Sequence, residues 1–92
     1  MSYNYPIDEV FWSKEEIIDV VNFYSLVEKA YENSVKKEDL LIAYTRFKQI
    51  VPSKSEEKQL GAKFEKESGY SFYRTVRQAK ESQSGQLIRM KK

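Results

Sequence analysis

Four cations crowd the stretch YTRFKQIVPSKSEEK: Arg46, Lys48, Lys54 and Lys58. Between them lie Phe47, Ile50, Val51 and Pro52, which a helical corner needs for its packing, while the four charges meet no packing need. Guanidinium and ammonium groups gathered at one corner can grip phosphates or the carboxylates of an acidic partner. Ile42, among Thr45, Arg46 and Gln49 on the outer side of the same helix, adds a small apolar spot. A plainer account sets the cations against Glu56, Glu57 and Asp39, with Arg46 and Lys48 offsetting a helix C-terminal dipole.

A second group with chemical potential is Arg74, Arg77 and Gln78 in SFYRTVRQAKE. Arginine and glutamine at this spacing can reach base edges in a major groove, with Ser71 near a phosphate. The helix then turns Thr75 and Glu81 outward with them and buries Phe72, Tyr73, Val76 and Ala79. Glu65, Glu67 and Glu81 would stand against the DNA backbone, and a net charge of +2 gives little general attraction. A solvated helix face competes with this reading.

Catalytic chemistry has little to work with. The chain contains no histidine and no cysteine, which removes the commonest general base, the thiolate nucleophile and the usual zinc ligands. Glu15, Glu16 and Asp19 are acids in the first turns of a helix, where its dipole explains them. A hard cation needs more converging oxygens, and general acid work needs a buried or coupled carboxyl. Seven tyrosines could include a stacking platform for single-stranded nucleic acid, but helical spacing makes most of them core-edge residues. We therefore expect no enzyme, no metal and no cofactor.

The elements that must position these groups follow from the pattern. Tyr3, Tyr5, Phe11 and Trp12, with Pro6 holding Tyr5 extended, predict an N-terminal arm lying across the fold. Ser13 and Glu16 form a capping box, and Trp12 and Ile17 sit at staple positions, so helix 1 starts at 14 and runs to about 32. Val20, Val21, Tyr24, Val27 and Tyr31 share its broad apolar face, which makes it the central helix. Helix 2 covers about 36–51, and Pro52 ends it. Ser53, three residues before Glu56, opens helix 3 over 54–68, where Gly61 suggests a close helix approach and Gly69 a left-handed stop. Ser71 caps helix 4. The run SQSGQLIRMKK has no sustained period, so 83–92 is expected to be a flexible tail after a single 1–82 domain. Its Arg89, Lys91 and Lys92 are too few for firm membrane anchoring.

Residues 1–35 hold seven acids against Lys14 and Lys29, whereas the remainder is strongly basic. Two halves facing each other explain that, as does a basic face kept for a partner. The longest wholly apolar run, Leu40 to Tyr44, is far short of a membrane span, and the N-terminal stretch is unlike a secretory leader, so a cytoplasmic location is expected.

The order of YPID, then YTRFKQIVPSKSEEK and FEKESGYSFYRTV, resembles the YktA-like family of small uncharacterised proteins from low-GC Gram-positive bacteria. The resemblance covers residues 3–80, and this chain departs from the pattern at Lys36, where a small capping residue such as threonine is expected. It implies a single all-helical cytoplasmic domain and transfers no activity. The expectation is thus an all-α, compact array of four helices with an extended N-terminal arm. Functionally it is a non-catalytic protein-interaction or regulatory module, contacting an unknown protein through Ile42, Arg46, Lys48, Lys54 and Lys58. Nucleic-acid binding through Arg74, Arg77 and Gln78 is the alternative, and a homodimer is left open.

Overall fold

The computed structural model describes residues 5–91. Tyr3 of the expected arm and Lys92 of the expected tail lie outside the described residues. The elements in chain order are α1 (Lys14–Glu32), β1 (Val35–Lys36), α2 (Lys37–Ile50), α3 (Lys54–Ser68), α4 (Phe72–Glu81) and β2 (Leu87–Ile88). No helix among the described residues is long and apolar enough to cross a membrane.

Helix α1 starts where its capping box places it. The Glu16 amide donates to Ser13 Oγ at 3.2 Å and the Ser13 amide donates to Glu16 Oε1 at 2.8 Å, satisfying two otherwise orphan donors. Its buried residues, Val20, Phe23, Tyr24, Val27 and Ala30, recur at three- and four-residue steps. This stripe packs on α2, α4 and β1, and α2 in turn packs on α1, α4 and β1, so the centre expected of helix 1 alone is shared by the α1–α2 pair. Aromatic rings fill the middle. Phe23 stacks on Phe47 and Tyr24 on Phe64, each pair with centroids 4.9 Å apart, and Phe72 closes the cluster from α4. Offset aromatic contacts of this kind add about 0.5–1.5 kcal/mol per pair beyond burial.

Part of the arm lies across α1 as expected. The buried Tyr24 hydroxyl donates to the Pro6 carbonyl at 2.9 Å, and Tyr5 donates to Glu28 at 2.5 Å. Phe11 departs from expectation, because it is 83% exposed. The Asp8 carboxylate accepts from the Val10 and Phe11 amides, both at 3.1 Å. That turn directs Trp12 into the core and Phe11 out.

Helix 4 corrects two expectations at once. Tyr73 is exposed and Thr75 fully buried, the reverse of the sequence reading. Positions 72, 75, 76 and 79 form the true i, i+3, i+4, i+7 stripe. The threonine tolerates burial because its hydroxyl donates to the Ser71 carbonyl at 2.7 Å.

The segment after α4 also differs from the flexible tail expected of 83–92. Leu87 and Ile88 pair antiparallel with Lys36 and Val35, Ile88 is wholly buried, and the Met90 amide donates to the Ala30 carbonyl at 2.8 Å. A two-residue strand has no period to read, which is why the pattern missed it. The same segment completes the start of α2, where Lys36 provides no side-chain cap. The Lys37 amide donates to the Gln86 carbonyl, the Lys37 ammonium donates to the Ser82 carbonyl, and Glu38 accepts from Ser84 and the Gly85 amide. Gly85 makes the turn with φ of 81°. A cap missing locally is supplied from the far end of the chain.

Candidate binding groove

Helices α3 and α4 meet closely because Gly61 lacks a side chain. A Cβ at this position would lie 3.1 Å from Phe72 Cζ, so the ring occupies the space a larger residue would take. Beside that contact, residues of α2, α3 and α4 border an open groove of about 710 Å³. Phe72 and Tyr73 of α4 line it with Tyr44 of α2, and Lys54, Lys58 and Lys80 stand around it. Lys54 and Lys58 are one turn apart on α3, whereas Lys80 reaches in from α4 and sits 5.2 Å from the Tyr44 ring centroid.

One carboxylate organises the wall. Glu57 accepts from the Tyr44 hydroxyl at 2.9 Å and from the Lys48 ammonium at 2.6 Å, one through each oxygen. Burial, followed by the Glu57 contact, pushes the Tyr44 hydroxyl up to about 12. It therefore remains a neutral donor near pH 7 and cannot serve as a base. Lys48 is likewise committed. By contrast, Lys54, Lys58 and Lys80 have no carboxylate within ion-pair distance among the described residues, where the pairs formed are Arg46–Asp19, Lys48–Glu57 and Arg77–Glu81.

The five residues expected to form one contact surface divide between two faces. Ile42 and Arg46 lie on the opposite flank of α2, where they line a hollow of about 470 Å³ with Asp19, Leu26, Asp39 and Ala43. Helical geometry requires the split: Tyr44 is two positions from both Ile42 and Arg46, and Lys48 two from Arg46, about 200° round the axis. Arg46 Nε donates to Asp19 at 2.8 Å, a pairing between helices that sequence neighbours did not suggest. Lys54 and Lys58 reach the groove, joined by Lys48 only through Glu57.

The residues of the alternative nucleic-acid surface are partly occupied. Arg77 lies 4.0 Å from Glu81, and the Gln78 amide donates to the Arg89 carbonyl at 3.5 Å. Arg74 is exposed. The tyrosines mostly serve the core and its edges, as Tyr31 and Tyr70 show by stacking at 4.5 Å with Tyr70 donating to Glu32 at 2.8 Å. Among the described residues no three acids gather where they could hold a metal ion. Sequence reasoning missed Lys80 and the outward Tyr73, whose places depend on how α4 packs against α2 and α3.

Residues 2–88 match the uncharacterised protein family UPF0223. The chain belongs to this family. The UPF0223 protein of Oceanobacillus iheyensis is 60% identical over 87 residues, covering 95% of this chain and 98% of the relative. The UPF0223 protein YktA of Bacillus subtilis is 52% identical over 87 residues with the same coverage, and that of Staphylococcus aureus is 50% identical over 92 residues, all of both chains. The YktA-like resemblance read from YTRFKQIVPSKSEEK is thereby confirmed. UPF0223 membership carries no activity with it, so function must be argued from the groove.

Proposed function

We propose that this UPF0223 chain is a non-catalytic binding module whose α2–α3–α4 groove receives an acidic, aromatic-bearing segment of a partner protein. The observation that carries the reading is the trio Lys54, Lys58 and Lys80, unpaired among the described residues around the Tyr44, Phe72 and Tyr73 rings. Aromatic surface supplies the contact area that anchors a side chain, and surrounding cations select and steer an acidic segment. Reaction chemistry fits less well, because Glu57 is already engaged on both oxygens and Tyr44 is held neutral.

The test is a titration of the isotope-labelled full chain with a peptide alternating glutamate and phenylalanine, and separately with a DNA duplex, at two salt concentrations. The expected result is peptide-induced shifts centred on Tyr44, Gly61 and Tyr73, abolished by Lys54→Glu with Lys58→Glu. Shifts scattered over the surface, or insensitive to those substitutions, would sink the groove reading. Salt-sensitive shifts on Arg74, Arg77 and Gln78 with DNA would move the function to nucleic-acid binding.

A further inference from the structure

The other flank of α2 carries an exposed isoleucine beside an unfilled hollow. Ile42 is 69% exposed, while its neighbour Ala43 is 6% exposed and forms the floor of the hollow with the half-buried Leu26. Asp39 and Arg46 close the hollow at its two ends along the helix. These two opposite charges are equidistant from the point between Ile42 and Ala43. A pattern of that kind reads the same after a two-fold rotation. If a second copy of α2 lies antiparallel across the first with the axis at that point, Asp39 faces the partner's Arg46, and Arg46 faces the partner's Asp39. Ile42 then stands over the partner's Ala43, at the floor of the opposing hollow.

We propose that this face is the interface of a symmetric homodimer formed by antiparallel packing of α2 on α2. A two-fold contact must be self-complementary, and the patch offers opposite charges at symmetric positions and an exposed Ile42 beside a hollow. The Arg46 guanidinium is pre-positioned: Nε is held by Asp19 at 2.8 Å and Nη1 touches Gln49 at 3.4 Å. Its fork has further donors for a second carboxylate. The exposed Ile18 on α1 lies one turn before Asn22, which lines the hollow, and so extends the apolar strip toward the rim. One helix-on-helix contact is smaller than the roughly 800 Å² per partner of a standard interface. The dimer is therefore weak and concentration-dependent, with dissociation in the roughly micromolar to millimolar range.

The test is sedimentation of the full chain from about 1 µM to 1 mM. A monomer–dimer equilibrium is expected, weakened at least roughly tenfold by Ile42→Glu, by Asp39→Arg and by Arg46→Asp. Ile42 and Asp39 are exposed, so the first two variants retain the helical circular dichroism of the parent. The decisive sample is an equimolar mixture of the Asp39→Arg and Arg46→Asp chains. Each repels its own copy, but together they oppose every new arginine to an aspartate, and the mixture forms a heterodimer. Three results would overturn the proposal. They are a monomer at every concentration, including one whose Ile42 face is covered by a different protein; a dimer indifferent to Ile42→Glu; and a mixture that associates no better than its components. The outcome is independent of the groove, because Lys54→Glu with Lys58→Glu leaves self-association unchanged.

Discussion

The two flanks of α2 use charge in different ways. On the flank bearing Tyr44, the lysines around the groove are unpaired among the described residues, and of the two carboxylates that line it, Glu57 and Glu65, Glu57 is held by Lys48 and Tyr44. On the flank bearing Ile42, the cation is already paired, Arg46 to Asp19, and a second acid, Asp39, stands about two turns away along α2. The first arrangement suits the unlike, oppositely charged partner proposed above, and the second carries both signs, as the proposed two-fold contact requires. Cations adjacent in sequence therefore need not share a task, because two positions along a helix turn a side chain to the opposite side.

The comparison would be broken most severely from beneath. Phe72 floors the groove and also meets Phe23, Tyr24, Phe47 and Phe64 in the core. Phe72→Ala is expected to lower stability by about 3–5 kcal/mol, read by chemical denaturation, and to abolish groove binding with it. A smaller and more selective effect comes from crossing the two faces. Lys54→Glu with Lys58→Glu and with Lys80→Glu should weaken binding of the glutamate–phenylalanine peptide by at least roughly tenfold and leave sedimentation unchanged, whereas Ile42→Glu does the opposite. If either set moved both readouts, the flanks would be one surface.

Subtler still is the wall between them. Glu57→Gln should bring the Tyr44 hydroxyl down from about 12 only part-way to its ordinary value, because burial is the larger cause and persists. Ultraviolet titration of tyrosinate reads this directly. The smallest expected effect concerns the frame. Burial, partly offset by the Tyr5 hydroxyl and reinforced by Glu32, raises the Glu28 carboxyl above the usual range. Its stabilising contribution is complete below the ordinary carboxylate value and is lost as pH rises through the raised one. The Gly85 amide chiefly lowers Glu38, whose contribution is present above the ordinary value and lost as pH falls through the lowered one. Denaturation midpoints across the acid range should therefore shift in opposite senses for Glu28→Gln and Glu38→Gln.

Most of the architecture was legible because it rests on local signals. Ser13 with Glu16, Pro52 with Ser53, and Gly69 with Ser71 mark helix ends by hydrogen bonds within a few residues. Gly61 even announced the close approach that Phe72 makes. The exchange of Tyr73 and Thr75 was not legible, since hydrophobicity favours tyrosine inside until the hydroxyl bond to Ser71 satisfies the threonine. Of the residues the sequence grouped at the helix 2–helix 3 corner, Lys54 and Lys58 follow the proline on α3 and line the groove, which the sequence did not reveal. Lys80 and the Arg46–Asp19 pair were hidden because they depend on how separate helices cross.

The pairing of Val35 with Ile88 closes a loop of more than half the chain, whereas every helix forms from neighbours. Closing so long a loop carries a large entropy cost, so this pairing is expected to form late in folding. Interactions absent from the transition state govern how fast a native molecule opens rather than how fast it forms. The small ribbon is thus expected to hold the α1–α2 junction closed, and amide exchange at Val35 and Ile88, faster than in the α1 core if it opens separately, measures how readily it lets go.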